Sequence, residues 1–317
     1  MITSNLIKSI KIILPIFLGV FLVYYSSLQV SFKEILVYFK KADLVFVLLG
    51  VFLMLLSHLS RAYRWVLVLK EIGYNVSFFN STMAIFSGYL VNYIFPRAGE
   101  FVRATSITNY EKVPFNKSMG SIISERIADV LMLFIVIVIA LFHEYNNLID
   151  FLLSKFNTTK VLTLISIFSF LLIAGILSYK KLKNSSNKLV VFFKGFIDGV
   201  MSVVTMRNKK VFIFHTLVIW ILYVLMFYVT IFSFNELEHL SFGAVLVAFI
   251  MASFSIVATN GGIGSYPLAI FAAFSLYGIS KEPSIAFGWI VWGAQTLMIV
   301  VLGGLSFIIQ PIVNRIK

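Results

Sequence analysis

The sequence predicts an all-α, polytopic integral membrane protein of about eight transmembrane helices, with re-entrant or broken helices added. Three observations predict this class. Hydrophobic residues make up 60% of the chain and charged residues only 12%, against roughly 45–50% and 25% in ordinary soluble domains. Mean hydropathy is +0.98, more apolar surface than a soluble fold could bury. The apolar residues also fall in runs close to the roughly 20 residues a helix needs to cross a bilayer. With 317 residues, such runs and short connectors use up the chain, so a single membrane domain over 1–317 is expected.

The first run, Ile12–Val30, follows Lys8 and Lys11. It exceeds a signal-peptide core and lacks a small-residue cleavage site, so it reads as a retained span. Six further runs read as spans: Leu44–Leu59, Ile122–Phe142, Val161–Ser178, Val211–Phe234, Phe242–Ala258 and Ser284–Ile309. Two segments are shorter or interrupted. Phe78–Phe95 is spotted with Asn80, Ser81, Thr82, Ser87, Gly88 and Asn92 and halted by Pro96, while Ser265–Ile279 opens on a glycine run and carries Pro267 in its first turn. Both read as broken or re-entrant helices. They lie about half a chain apart, each introduced by an asparagine (Asn92, Asn260), a layout found in transporters built from internal repeats. A repeat with halves at about 1–160 and 161–317, and a cavity between the breaks, is one reading; glycines that merely permit close helix packing are the other.

Orientation follows from lysine and arginine. Lys180–Lys210 holds eight basic residues against the single acid Asp198 and is therefore expected on the cytoplasmic side of the cytoplasmic (inner) membrane. Counting outward places both termini, Arg61–Lys70 and Arg97–Lys117 inside, and Glu144–Asp150 and Phe234–Leu240 outside. Basic connectors then flank Phe78–Phe95 on both sides, so that segment enters and leaves from one face. Lys33, Lys40 and Lys41 fit this scheme poorly. Within the cytoplasmic stretch, the apolar stripe of Asn187–Met206 reads either as an interfacial helix or as a linker. Anionic lipid accounts for the net charge of +13 without a nucleic-acid partner.

Candidate chemistry lies between Ser57 and Asp129. Glu125 and Asp129, four apart, share one helical face, with Arg126 about 100° around from Glu125. Ionisable groups at membrane depth face a bundle interior or wet cavity and find opposite charges; Arg97 and Arg103 are the nearest. Glu100 and Arg103, three apart after Gly99, share another face. Arginine forks bind phosphate bidentately, so an anionic phospholipid headgroup suits this mixed site. The alternative makes Arg61, Arg64, Arg97 and Arg103 orientation anchors and Glu125, Arg126 and Asp129 a closed ion-pair lock. There is no cysteine, and His58, His143, His215 and His239 lack ligand spacing, so neither metal nor cofactor is expected. No nucleotide-binding loop is present.

Arg-x-x-Arg-Trp at 61–65, Asn-x-x-x-Pro-Arg-x-Gly-Glu-x-x-Arg at 92–103 and Glu-Arg-x-x-Asp at 125–129 resemble the lysylphosphatidylglycerol synthase transmembrane family, the flippase-like domain of multiple peptide resistance factors. The resemblance covers essentially the whole chain and extends to Asn260, Gly261, Gly262 and Gly264, similar to the family's glycine-rich break, and to Gly303-Gly304. It implies an eight-span domain that binds or translocates lipids, with Arg61, Arg64, Asn92, Arg97, Glu100, Arg103, Glu125, Arg126, Asp129 and the Asn260–Gly264 break lining the lipid path. Two departures stand out. Pro267 replaces a common Glu after the break, and the last span offers Trp289, Trp292 and Gln295 where an Arg is common. The family's aminoacyl transfer belongs to an appended soluble domain; with the chain ending at Lys317, no such enzyme is expected. A membrane partner of a separate transferase, or a homo-oligomer, is the further alternative.

Overall fold

The computed structural model describes residues 17–95, 97–145, 163 and 206–315. Among them are ten α-helices and no strand. In chain order they are α1 (Phe17–Gln29), α2 (Phe32–Lys41), α3 (Leu44–Glu71), α4 (Phe78–Ile94), α5 (Ala98–Glu111), α6 (Phe115–His143), α7 (Lys209–Ile231), α8 (Phe242–Ala258), α9 (Ser265–Phe274) and α10 (Lys281–Arg315). Four of them, α3, α6, α7 and α10, are long and apolar enough to cross a membrane, and α1 with α2, bent by 80°, adds a fifth if the pair is one span. Of the expected span Val161–Ser178 only Thr163 is described, and of Asn187–Met206 only Met206; those two readings otherwise lie outside the described residues.

Helix starts follow local chemistry. Asp43 caps α3 by accepting from Val45 N at 2.8 Å, and Ser31 and Glu34 form a reciprocal capping box on α2. The lysines that fitted the charge pattern poorly, Lys33, Lys40 and Lys41, therefore lie on an ordered helix rather than in a loop. Helix α3 continues through Arg61 and Trp65 to Glu71, because no Gly or Pro lies between Gly50 and Gly73; the expected connector 61–70 is helical. Likewise α6 begins at Phe115, directly after Pro114, so 115–121 is helix and not connector.

The remaining short helices form two hairpins. In the first, α4 and α5 fold back on each other at Phe95–Arg97, where Arg97 adopts the left-handed conformation (φ 62°). Asn92 Oδ1 spans the break by accepting from Gly99 N at 2.8 Å. At the crossing of α4 and α5, a Cβ on Gly88 would lie 2.7 Å from the Gly99 carbonyl oxygen. Both positions thus require glycine. At the base, Glu111 Oε1 accepts from Ser77 N (3.1 Å) and Asn80 Nδ2 (2.6 Å). The stretch after Pro96, expected as a connector, is the returning arm.

The second hairpin is α8, a 3-10 turn at Asn260–Gly262, and α9. Gly261, Gly262 and Gly264 all have positive φ (63°, 82°, 70°), and Ser265 Oγ ties the arms by donating to the Ser255 carbonyl at 2.9 Å. The tips meet. A Cβ on Gly261 would lie 2.5 Å from the Tyr93 ring, Trp292 Nε1 donates to the Gly261 carbonyl at 2.8 Å, and Thr296 Oγ1 donates to the Tyr93 hydroxyl at 3.2 Å. An apolar core containing Phe227, Phe249, Phe274 and Phe287 supports the second hairpin, and one containing Trp65, Leu69, Ile85 and Ile107 supports the first.

Candidate functional site

Helices α3, α5 and α6 each bring one charged face to a common centre. On α3, Arg61, Arg64 and Trp65 share a stripe. Arg64, fully buried, donates to Asp129 Oδ1 (3.0 Å), to Thr216 Oγ1 on α7 (2.9 Å) and, more distantly, to Glu125 Oε1 (3.4 Å). Arg61 donates to Asp129 Oδ2 at 2.6 Å and to the Tyr223 hydroxyl at 3.1 Å. From α5, Arg103 donates to Glu125 Oε2 at 2.6 Å while its guanidinium stacks 3.7 Å over the Trp65 ring. Trp65 in turn donates to Ser121 Oγ at 2.8 Å. Arg126 Nε donates to Glu100 Oε1 at 2.8 Å, with Arg126 Nη1 3.7 Å from Asp129 Oδ2.

The network joins four guanidiniums to three carboxylates and carries a formal charge of +1. It is graded in burial. Every member of the Arg61, Arg64, Arg103, Glu125 and Asp129 set has a side chain at most 12% exposed, whereas Arg126 and Glu100 are 39% and 32% exposed. Charges this deep persist only when paired, because desolvation of an unpaired ion costs several kcal/mol. Even so, Arg61 Nε, Arg103 Nε and both nitrogens of His58 have no hydrogen-bond partner among the described residues. The His58 ring packs between Tyr89 (4.8 Å), Phe86 (5.6 Å) and Tyr223 (6.2 Å).

Seven of the expected site residues, Arg61, Arg64, Glu100, Arg103, Glu125, Arg126 and Asp129, therefore meet here. Arg61 and Arg64 are buried members of the network, in line with the site reading and against the anchor alternative, because α3 is unbroken and turns that stripe toward α6. One expectation is corrected. Arg97, expected to balance the carboxylates, is exposed at the hairpin tip and forms no ion pair among the described residues. Asn92 holds the break rather than joining the charges. The Asn260–Gly264 segment lies at the other hairpin tip, against Tyr93 and Trp292, with Gly264 against the backbone of Leu22 and Val23. No ion pair or hydrogen bond joins it to the charged cluster.

Several partners escaped the sequence reading. Thr216 and Tyr223, seven apart on α7, complete the coordination of Arg64 and Arg61; a polar pair at that helical spacing was the available signal. A second polar network links the first hairpin to α10. Asn80 and Asn314 exchange amide hydrogen bonds (2.9 and 2.8 Å), and Ser106 Oγ donates to Gln310 Oε1 at 2.9 Å. Gln310 and Asn314, four apart in an apolar span, were its signal. A cavity of about 490 Å³ lined by Glu71, Asn116, Lys117, Ser121 and Ser124 opens beneath the charged cluster, one turn below Glu125.

Comparison with known proteins gives one family. The family model for the lysylphosphatidylglycerol synthase transmembrane region matches residues 12–303. Similar curated proteins include a UPF0104 membrane protein of Pyrococcus horikoshii, 27% identical over 137 residues (42% of this chain and 40% of the relative). Another, from Methanocaldococcus jannaschii, is 28% identical over 87 residues, 26% of each chain. The similarity thus spans well under half the length of these relatives. No solved structure matches.

Proposed function

The chain belongs to the lysylphosphatidylglycerol synthase transmembrane family, and we propose that it binds anionic lipid headgroups at the guanidinium cluster and moves lipids or lipid-linked molecules across the cytoplasmic membrane. One observation carries the reading: the cluster holds one guanidinium more than it has carboxylates, and its exposed end is an arginine. A monoanionic phosphodiester is a fitting counter-ion for that exposed, incompletely satisfied arginine. The 490 Å³ cavity that Ser121 lines, one turn from Glu125, offers mixed polar and apolar space for a lipid at the basic end of the bundle. The two hairpin tips, meeting at Tyr93 and Gly261, divide that space from the far leaflet, in keeping with an internal repeat of two halves at about 1–160 and 161–317. The reading requires no covalent step, since the groups bind and release charge, and it places both termini in the cytoplasm.

Reconstitution in liposomes with a fluorescent phosphatidylglycerol tests it. Arg126→Gln is expected to abolish most transport while leaving the melting temperature within a few degrees of wild type, because Arg126 lies at the exposed end of the network. Arg126→Lys keeps the charge but loses the planar fork and is expected to fall between the two. Undiminished transport by Arg126→Gln would remove the cluster from the lipid path.

A further inference from the structure

We infer that Glu100 is a displaceable internal stand-in for the headgroup: its carboxylate occupies Arg126 when no lipid is bound and is exchanged for a phosphodiester monoanion when one arrives. The inference rests on the headgroup reading above and adds a regulatory residue to it.

Four observations support the assignment. First, the Arg126–Glu100 pair is the most exposed pair of the network, at 39% and 32%, while the buried pairs are effectively sealed. Exchange with an outside anion is possible only there. Second, the pair is under-used. Arg126 donates through Nε alone, and its two terminal nitrogens make no hydrogen bond among the described residues. The bidentate fork that grips phosphate is therefore unspent. Third, Glu100 sits in the first turn of α5, directly after the break where Arg97 takes φ 62°. When Glu100 swings out, the amide dipole of that turn still favours an anion in its place. Arg97, exposed three residues earlier and in no ion pair among the described residues, adds positive charge to this end of α5. Fourth, release of Glu100 leaves its neighbours paired. Arg103 keeps Glu125, and Arg61 and Arg64 keep Asp129. The buried lock and the exposed latch are thus separable in one network.

The sign of the expected effect is opposite to that of an ordinary ligand-contact residue. Removing the competitor should tighten binding: Glu100→Gln in phosphatidylglycerol nanodiscs, or with a short-chain phosphatidylglycerol in detergent, should bind roughly fivefold tighter than wild type, the scale of one partly exposed ion pair. Glu100→Asp, shorter by one methylene and still charged, should show a smaller gain and covers the case in which the glutamine variant folds poorly. In an Arg126→Gln background, Glu100→Gln should bring no gain, because the two residues act on one contact. If wild type binds phosphatidylglycerol and Glu100→Gln binds it equally or more weakly, the latch is overturned and the headgroup site stands. If wild type and Glu100→Gln bind no better than Arg126→Gln, the headgroup reading itself falls. Displacement of the lipid by inorganic phosphate would assign the site to a soluble anion and overturn the lipid assignment; retention of binding against phosphate, with none to phosphatidylcholine, supports it.

Discussion

At the residue scale, the network divides into a part that holds the fold and a part that is free to act. Arg64 and Glu125 are almost fully enclosed, and each answers to more than one partner. Truncating Glu125 leaves the buried Arg103 with no counter-ion, which costs about 3–5 kcal/mol; truncating Arg64 removes two ion pairs and the bond to Thr216 and leaves a void, with Glu125 then held by Arg103 alone and Asp129 chiefly by Arg61. Arg64→Ala and Glu125→Ala are therefore expected to lose expression or melt many degrees lower in detergent, whereas Arg126→Gln, at the exposed end, should melt nearly as wild type. Equal melting temperatures for all three would show that the cluster does not hold α3, α5 and α6 together. Much of this site was legible in the sequence. Glu125 and Asp129 at four-residue spacing fixed one shared face, and Glu100 and Arg103 at three-residue spacing fixed another. For Arg61, Arg64 and Arg97 the residues alone left two readings open, anchor or site, and only the resemblance favoured the site. Arginines near the end of an apolar run satisfy a charge-orientation rule equally well whether they point to water or to a neighbouring helix, and only the packing of α3 against α6 and α7 decides between the two.

At the element scale, the two breaks were readable because Pro96 and the glycines at 261, 262 and 264 interrupt the helix period, and the backbone takes positive φ at Arg97 and at all three glycines. The returning arm α5 was harder to see. Its fourteen residues are too polar and too short to register as a span, so 98–111 looked like a connector. What makes it an arm is the close crossing at Gly88 and Gly99, where each glycine's missing side chain admits the other's carbonyl. Gly99→Ala should therefore splay the hairpin and withdraw Arg103 from Glu125, with a loss of stability of about 2–4 kcal/mol from overpacking and the broken pair. Gly120→Ala, on α6, meets no heavy atom within 4 Å and should be neutral or slightly stabilising, by up to about 1 kcal/mol. Thermal melts of the two proteins side by side check this; a Gly99→Ala variant as stable as Gly120→Ala would mean that the crossing is looser than it stands here.

At the scale of the whole molecule, hydrogen bonds between distant elements sort the helix ends into two sets. Glu71 accepts from Asn208 N at 3.0 Å, Glu111 closes the base of the first hairpin, and Asn80 bonds Asn314. At the opposite end Asp43 N donates to the Ser233 carbonyl at 3.1 Å, Ser241 Oγ donates to Glu144 at 2.7 Å, and Lys281 Nζ donates to Gln29 at 2.9 Å. The hairpins thus have their bases at opposite ends and their tips together in the middle. The first set gathers Lys70, Lys112, Lys117, Arg207, Lys209, Lys210 and Arg315, with Glu71 and Glu111 as its acids; the second gathers Glu34, Asp43, Glu144, Glu236, Glu238 and Glu282 beside four lysines, Lys33, Lys40, Lys41 and Lys281. From the excess of lysine and arginine we propose that the first end faces the cytoplasm. That assignment places the base of the first hairpin, and with it both Asn75 and Lys112, on one side of the membrane although an apolar helix of 17 residues lies between them. Because the chain has no native cysteine, single cysteines report without background. Asn75→Cys, exposed beside the buried Val76, and Lys112→Cys should both resist a membrane-impermeant thiol reagent in intact cells and react after permeabilisation, while Asn235→Cys, in the loop after α7, should react without it. Opposite behaviour of Asn75→Cys and Lys112→Cys would make α4 an ordinary span. Reaction of Lys112→Cys but not Asn235→Cys in intact cells would invert the whole molecule and put the headgroup site in reach of the outer leaflet instead.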